Sequence, residues 1–324
     1  MPILARTVVL PPVPSPFLDS RSILLRTIDG GDEQLFDGPE WIIRPGITGF
    51  GLPTRDVVVQ TSPGLDGGWL REVRINPREV FLPCYIASDS GHVDFLDKME
   101  RVRTFLDYLA VPDMTATDGT LELVAQSARG ERRLRCVYSD GMEGTEGGTD
   151  SGSYWATFGV KLLAVDPWWR STEDTVFEFA PATGTPFLSS DPAYPWPRSL
   201  SASVALGSGS GVGVVVPGTV PVWPTVEVVG PVSSVTLNWP GVTPDESTHV
   251  QLAAVSATET LTLTTDPRRR SVRVNGDKAW ARVGTAPQFA RLRPGPSALG
   301  VAVAGTAATT RVRVRFPAAF QTAW

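Results

Sequence analysis

The sequence predicts a mainly β protein of two domains, and three observations lead to this fold class. The chain has 324 residues, enough for about two domains with buried cores. It contains 31 glycines and 29 prolines, above the average usage of about 7% and 5%. Apolar residues alternate with period 2 almost everywhere, and one segment alone has helical period. We therefore expect β-strands and turns, with a single α-helix.

The charge balance argues against a dedicated nucleic-acid or anionic-membrane binder. The chain has 29 basic and 34 acidic residues, a net charge of −5. Lysine occurs at three positions only, Lys98, Lys161 and Lys278, a bias that indicates a GC-rich coding genome. We expect no specific nucleic-acid binding.

Cysteine usage and hydropathy predict folding in a reducing cytoplasm. Cys84 and Cys136 are too few for a disulfide framework in a chain of this length. Met1–Leu18 has no uninterrupted apolar stretch, which disfavours a secretory signal. The longest apolar tract, Val212–Trp223, is broken by glycine and proline and is shorter than the ~20 residues of a membrane-spanning helix. We expect no membrane insertion.

The first domain is expected over about 1–170, beginning with strands and one helix. Ile23 and Leu25 begin a strand, and alternate residues from Val80 to Ile86 line one face of another. The helix is predicted over about 90–110, with a possible N-cap at Ser88–Ser90 and an end before Pro112. Its apolar stripe has the 3-and-4 spacing of a buried face: Phe95, Leu96, Met99, Val102, Phe105, Leu106 and Leu109.

A long hairpin is predicted over about 131–165. Leu134, Cys136 and Tyr138 alternate with residues of the opposite face, and a second alternating strand runs from Tyr154 to Leu162. Between them Asp140–Ser151 is rich in glycine and acidic residues, which is typical of a mobile hairpin tip.

Residues 171–213 change in character and form the expected domain junction, while 214–324 alternate regularly. Ser199–Gly213 is either a linker or extended edge strands that open the second domain. Asn275–Gly276 is a strong two-residue hairpin signal. Short strands with no helix between them predict an antiparallel β-sandwich. The inward-facing residues are Val226, Val228, Val235, Leu237, Trp239, Val250, Leu252, Leu261, Leu263, Val272, Val274, Val312, Val314 and Phe316.

Sequence signals of catalysis, cofactor binding and metal binding are not found. His92 and His249 are far apart in sequence and have no cysteine near them, so the usual zinc spacings cannot be built. No P-loop or GxSxG motif occurs, and Gly207–Gly213 does not have the GxGxxG spacing. The acidic residues cluster in turns, as at Asp29 and Asp32, where solvation explains them. We expect no enzyme, no cofactor and no metal.

Two features leave alternatives open. Arg268–Arg270 follows a turn, so a solvated loop is favoured over a site that grips an anionic partner. The tryptophans are either core and interface anchors or a sugar-stacking platform. The residues concerned are Trp168, Trp169, Trp196, Trp223, Trp239 and Trp280.

The order of several motifs resembles one known family. Gly68–Ile86, with Arg-Glu-Val-Phe-Leu-Pro at Arg78–Pro83, is followed by the single helix and by a hairpin that ends in Asp166–Trp169. Leu263–Asp266, Arg270–Gly276, Trp280 and Phe289–Gly295 then follow in the second domain. This order, collinear over about 20–320, resembles the distal tail proteins of long, non-contractile-tailed bacteriophages, often labelled minor tail proteins in phages of actinobacteria. The sequence departs from the pattern of this family at Pro296–Ser297 and in the proline-rich insert 181–213.

The resemblance implies a structural protein of the virion, at the distal end of the phage tail, assembled in the host cytoplasm. The first domain would be a tail-tube-like β-barrel or sandwich that forms a ring, expected to contain six copies. The second would be a galectin-like β-sandwich. The implied partners are other copies of the chain, the major tail tube protein, the tape-measure protein, the tail hub or tail-associated protein and the receptor-binding proteins. No catalysis is implied.

Ring formation needs two different faces of each copy to mate, and a long hairpin is a usual means of supplying one. We expect strands 131–138 and 153–165 to join a neighbour's sheet by strand addition. The acidic loop, with Glu143, Glu146 and Asp150, would lie at the lumen or rim and repel passing DNA. The candidate ring or tube interface consists of Arg133, Arg135, Tyr154, Trp155, Trp168 and Trp169.

Two competing function classes remain. One makes the second domain a carbohydrate-binding adhesin for glycans of the host cell wall, through its aromatic residues. The other is a wall-degrading hydrolase, which would need a cleft with acidic residues of perturbed pKa. We rank the structural role first, then binding, then catalysis.

Overall fold

The computed structural model describes residues 21–28, 41–64, 66–107, 119–142, 151–180 and 212–324. The chain divides into two compact units. Unit 1 comprises Met1–Pro167 together with Thr322–Trp324, and unit 2 comprises Trp168–Gln321. Both are built mainly of antiparallel strands, which confirms the predicted β class.

Unit 1 contains eight strands and one helix among its described residues. In chain order they are β1 (Ser22–Thr27), β2 (Trp41–Ile43), β3 (Arg55–Gln60), β4 (Trp69–Ile75), β5 (Arg78–Ala87), α1 (His92–Leu106), β6 (Leu121–Ser127), β7 (Gly130–Asp140) and β8 (Trp155–Ala164). The main sheet has the antiparallel order β1-β6-β7-β8-β5-β2. β3 and β4 form a separate two-stranded sheet.

Strand β5 confirms the predicted alternation. Val80, Leu82, Cys84 and Ile86 are all buried, because one face of the strand packs into the core while the residues between them are partly exposed. β5 pairs with β8 along its whole length, from Arg78 opposite Ala164 to Ala87 opposite Trp155.

The predicted long hairpin over 131–165 is not one continuous pair of strands. β7 pairs with β8 only over Val137–Asp140, opposite Lys161–Leu163. The first part of β7, from Gly130 to Cys136, pairs instead with β6. The strand positions were predictable from alternation, but alternation does not specify which strands become neighbours, since it reports burial and not pairing.

The helix is shorter than predicted. It covers His92–Leu106, and its N-cap is Gly91 rather than a serine of Ser88–Ser90. Phe95, Val102, Phe105 and Leu106 are buried as the stripe predicts. Leu96 is 49% exposed, so its predicted place in the buried stripe is wrong. Leu109 and Pro112 lie outside the described residues.

Arg78 joins two loops of unit 1 to strand β5. Its side chain is 2% exposed, although arginine is almost never fully buried without partners. Nε donates to the Pro167 carbonyl at 2.7 Å, and Nη1 donates to the Gly49 and Gly51 carbonyls at 2.6 Å each. The guanidinium therefore supplies hydrogen bonds to carbonyl groups of two separate loops, in the place of water.

The segment Thr322–Trp324 lies in unit 1, although all of unit 2 separates it from Pro167 in the sequence. The Trp324 ring stacks on Phe50 with centroids 5.1 Å apart, and the Arg21 guanidinium lies 5.0 Å from the Trp324 ring centroid. Arg132 donates to the Thr322 carbonyl at 2.9 Å. These contacts fix the segment in unit 1.

Unit 2 is an antiparallel β-sandwich whose two sheets share one core. Its strands are β9 (Trp169–Phe179), β10 (Val212–Val216), β11 (Thr225–Val229), β12 (Ser234–Pro240), β13 (Ser247–Leu252), β14 (Thr260–Thr264), β15 (Ser271–Val274), β16 (Asp277–Lys278), β17 (Gly295–Ala304) and β18 (Arg311–Phe320). One sheet has the order β16-β15-β14-β11-β18-β9 and the other β10-β17-β12-β13. A 3-10 turn covers Trp280–Arg282.

The sequence pattern of unit 2 is confirmed in detail. The predicted inward residues are buried, except Val274, which is partly buried. Asn275 and Gly276 have φ of 49° and 94°, the left-handed conformations of a two-residue hairpin turn, between β15 and β16.

Residues 171–179 belong to β9 and not to an irregular junction, and β9 pairs with β18. Of Ser199–Gly213, only Val212 and Gly213 are described, and they begin edge strand β10.

Candidate functional site

The described residues offer surfaces rather than an enclosed site. Nowhere in 21–28, 41–64, 66–107, 119–142, 151–180 or 212–324 do three His, Cys, Asp or Glu side chains form a group that could hold a metal ion. The helix of the described part is too short and too polar to cross a membrane. Two depressions lined by described residues are both open to solvent.

The predicted interface residues fall in separate places. Arg133 and Arg135 lie on β7 beyond its pairing with β8, whereas Trp155 begins β8. Trp155 is eight residues from Leu163, where β7 meets β8, or roughly 26 Å at about 3.3 Å per residue. Tyr154 and Trp155 are therefore far from the two arginines, and the set is not a single site.

Arg133 belongs to an ion-pair cluster that spans β1, β6 and β7. The Glu122 carboxylate, whose side chain is 9% exposed, contacts Arg26 at 2.9 Å and Arg133 at 3.3 Å. Arg26 also approaches Glu131 at 3.7 Å. Arg133 is thus already paired within its own chain, as expected for a charge beside a shielded carboxylate.

Tyr154 and Trp155 adjoin the start of the helix. Tyr154 is 53% exposed and meets the His92 ring edge-on, with centroids 6.3 Å apart. The Trp155 ring lies 6.2 Å from that of Tyr85. Tyr154 is thus exposed, whereas Trp155, whose ring stacks with that of Tyr85, is partly buried.

Trp168 and Trp169 lie in unit 2. Trp169 is fully buried, so its side chain has no surface with which to contact another chain, and we omit it from the proposed interface. Trp168 is partly buried and packs against the core of the sandwich. The predicted loop residues Glu143, Glu146 and Asp150 lie outside the described residues.

Among the described residues of unit 1, the largest group of exposed apolar side chains belongs to the β3–β4 hairpin, whose exposure the sequence did not predict. Neither strand is hydrogen-bonded to another described strand. The register places five aliphatic residues on one side, here called the apolar hairpin face: Val57, Val59, Leu70, Val73 and Ile75. Their exposed fractions run from 40% for Ile75 to 63% for Leu70.

The opposite side of the same hairpin is mixed, with polar pairs beside two exposed apolar residues. Arg74 pairs with Glu72 at 2.6 Å, Asn76 donates to Asp56 at 2.9 Å, and Arg71 is hydrogen-bonded to Gln60. Val58 and Trp69 lie on this side too and are 48% and 55% exposed. This side is therefore more polar than the apolar hairpin face.

A second exposed apolar surface lies on α1. Val93 is 72% exposed and Leu96 49%, and Tyr154 stands beside the start of the helix. These three residues are here called the helix patch. From Leu96 the same side of the helix continues into an open groove of about 490 Å³, lined further by Glu100, Arg103, Thr104 and Asp107.

The arginine and tryptophan features left open in unit 2 have different surroundings. Arg268 pairs with Asp266 at 3.2 Å, and the Arg270 guanidinium lies 4.4 Å from the Phe289 ring centroid. Trp239 is buried, while Trp280 is 45% exposed. Trp196 lies outside the described residues.

An open pocket of unit 2, about 340 Å³, includes Thr236, Gln251 and Arg282 in its lining.

Comparisons with known proteins show the fold. No protein-family model matches the sequence, and no curated protein matches it. The chain is similar to the Dit protein of phage SPP1, described as a paradigm of the hub adsorption apparatus in phages that infect Gram-positive bacteria. That likeness has a TM-score of 0.60 at 14% identity and covers 92% of this chain and 99% of that one.

Two further similar chains come from structures of the phage p2 baseplate in its activated conformation, one with Ca and one with Sr. Each has a TM-score of 0.49 at 10% identity and covers 91% of this chain, with 97% and 98% of the other chain. By its likeness to SPP1 Dit, the chain has a Dit-like, mainly β fold. The actinobacterial host stays a prediction.

Proposed function

We propose that the chain is a structural protein of a phage tail tip, where six copies form a ring that joins the tail tube to the hub and leaves a channel for DNA. The observation that carries the proposal is the fold likeness to SPP1 Dit along nearly the whole length of both chains. The collinear motifs from Gly68 to Gly295 support the same family independently of the fold comparison.

The exposed surfaces of unit 1 are suited to such a role. A subunit of a cyclic ring uses two different faces, one for each neighbour. Unit 1 has two separate apolar surfaces, the apolar hairpin face and the helix patch. The proposed partners are other copies of the chain, the major tail tube protein, the tape-measure protein, the tail hub or tail-associated protein and the receptor-binding proteins.

The acidic stretch from Asp140 to Asp150 remains part of the proposal on its composition alone. Its negative charge at the lumen or rim would repel passing DNA and prevent adhesion to the channel wall. The proposed role is structural and not catalytic.

The first test is the mass of the purified protein by light scattering, with class averages from negative-stain images. Each chain has a mass of 34.8 kDa, so a ring of six has six times that mass. We expect six-fold rings with a central hole. A protein that stays monomeric alone and is absent from the tail tip of labelled virions contradicts the proposal.

A second candidate function is carbohydrate binding by unit 2. The observation in its favour is the exposed Trp280, adjacent in sequence to the pocket residues Ala281 and Arg282. Polar groups from Thr236 and Gln251 are available there for sugar hydroxyls. A glycan array tests it: binding that is lost in Trp280→Ala supports an adhesin, and no binding by the native protein rejects it.

A further inference from the structure

We propose that the apolar hairpin face of one copy docks on the helix patch of the next copy, so that the β3–β4 hairpin is the element that closes the ring. This inference rests on the ring of the proposed function and assigns its contact surfaces. It is carried by the exposure of an amphipathic hairpin that no described strand of its own chain pairs with.

The apolar hairpin face is expected to pack against another surface. Its five aliphatic side chains, each about half exposed, present on the order of 400 Å², a patch of the size that is often functional on a monomer. An isolated two-stranded hairpin is at best marginally stable in water and needs packing on one face. In this chain the described residues supply no such packing.

The side of the hairpin that docks is expected to be the one with more apolar residues. The opposite side has two exposed apolar residues, Val58 and Trp69, against five on the apolar hairpin face, and its polar groups are paired within the hairpin, as Arg74 is with Glu72. A partner there would have to break these pairs. Contact is therefore expected on the side of Val57 and Leu70, while the side of Val58 stays in water.

The occupant that the surfaces of this chain favour is a second copy of it. Among the described residues of unit 1, one other group of exposed apolar side chains lies beside a groove, the helix patch, and its three members are each about half exposed or more. Since the two surfaces differ, their pairing is head-to-tail, the type of contact that closes a ring or extends a filament.

Charge also matches between the two surfaces. Arg55 lies at one end of the apolar hairpin face, where it is paired in register with Ile75. The helix side continues from the apolar Leu96 to a groove lined by two acidic residues, Glu100 and Asp107, and one basic residue, Arg103. Docking with the aliphatic residues on Val93 and Leu96 brings Arg55 toward this end, where acidic residues outnumber basic ones, and this favours one orientation of the hairpin.

The first experiment compares two substitutions on neighbouring residues of β3. Val57→Asp puts a charge into the proposed contact, whereas Val58→Asp puts the same charge on the opposite side of the same strand. Both residues are about half exposed, so neither change buries a charge within the free subunit. We expect Val57→Asp to raise the protein concentration needed for ring formation roughly a hundredfold, and Val58→Asp to leave that concentration unchanged.

The second experiment cross-links the two surfaces. In Leu70→Cys/Leu96→Cys, a short bismaleimide is expected to join neighbouring copies into a ladder on a denaturing gel. Val58→Cys/Leu96→Cys is the matched control and should yield only single chains. Cys84 and Cys136 are both buried and do not compete for the reagent.

The outcomes separate the two proposals. Rings that form equally with Val57→Asp and Val58→Asp, or rings of the Leu70→Cys/Leu96→Cys variant that yield no ladder, overturn the docking surface and leave the ring intact. The same holds if Val57→Asp assembles normally but no longer enters virions, because the hairpin then binds a different protein. A native protein that never forms rings, alone or on tail tubes, contradicts the proposed function itself.

Discussion

At the scale of single residues, Arg78 has a structural role that limits which residue types its position accepts. It begins the Arg-Glu-Val-Phe-Leu-Pro stretch and serves as a buried donor to three backbone carbonyls. Burial lowers the pKa of the guanidinium to about 10, so the group stays charged at neutral pH. Lysine cannot replace it, because one ammonium group cannot reach carbonyls in the same planar arrangement.

We expect Arg78→Met to lower the free energy of unfolding by about 3–5 kcal/mol, since it leaves buried carbonyl groups without donors. Arg78→Lys should recover less than half of this loss. Urea unfolding measures both, with Arg74→Met as the control, because Arg74 lies on the exposed hairpin and its side chain is 70% exposed. Equal stability of Arg78→Met and the native protein would contradict this role.

The two cysteines give a prediction about pH. Burial raises the pKa of both the Cys84 and the Cys136 thiol to about 12, from an ordinary value of 9.0. Above pH 9 the unfolded chain loses these protons while the folded chain keeps them, so stability falls as pH rises from about 9 toward 12.

We expect neither thiol to react with a disulfide reagent at pH 8 in the native protein, and both to react after denaturation. In Cys84→Ala/Cys136→Ala the fall in stability above pH 9 should become less steep, whatever the change in absolute stability. Rapid labelling of the native protein, or an unchanged slope in the double variant, would count against this prediction.

At the scale of elements, the sequence predicted several strands in which buried and exposed residues alternate and missed others. β5 and β18 were predictable because apolar residues alternate along them, and Asn275–Gly276 was predictable as a turn from its residue types. β6 was missed although it is buried, because five consecutive residues of it are buried and its burial does not alternate. β3, β4 and β9 were missed as well: no residue of β3 or β4 is buried, and β9 is buried only at its two ends.

The same limit applies to the candidate site. Alternation predicted Arg133 and Arg135 on one face of β7, but it could not predict that Arg133 pairs with Glu122. The exposure of Val57 and Leu70 depends on what the rest of the fold leaves uncovered, which is a tertiary property. Aliphatic residues in the sequence are expected to be inside, so an exposed group of them is visible only in the structure.

Gly141, at the end of β7, marks a close approach that only glycine permits. Its φ is 108°, and a methyl group added there would overlap the carbonyl oxygen of Gly159 on β8. We expect Gly141→Ala to destabilise unit 1 by more than about 3 kcal/mol in thermal or urea unfolding.

Gly276 is the matched control for Gly141. Its φ is 94°, but the space around an added methyl group is open. Gly276→Ala should therefore cost only the backbone strain of about 1 kcal/mol. Similar losses in the two variants would mean that the approach of Gly141 to Gly159 is not what constrains the position.

At the scale of the whole molecule, the chain divides into two compact units, and unit 1 is discontinuous in sequence. Its segment Thr322–Trp324 packs on Phe50 and Arg21 and accepts a hydrogen bond from Arg132. We expect Trp324→Ala to lower the stability of unit 1 by about 1–3 kcal/mol, through lost aromatic and cation–π contacts.

Hydrogen exchange read by mass spectrometry checks this expectation. In Trp324→Ala, protection should fall in β5 and β7 and stay unchanged in β11 and β14. Trp280→Ala, on an exposed turn of unit 2, should change stability by about 0.5 kcal/mol or less. Loss of protection in unit 2 in response to Trp324→Ala would contradict the expectation that the segment stabilises unit 1.

The position of Thr322–Trp324 also sets an order of events during synthesis. All of unit 2 leaves the ribosome before these three residues do, so Phe50 has no Trp324 ring to stack on until then. A product that stops at Gln321 therefore lacks the ring that stacks on Phe50 and the carbonyl that accepts from Arg132, and we expect its unit 1 to be less stable than that of the full chain.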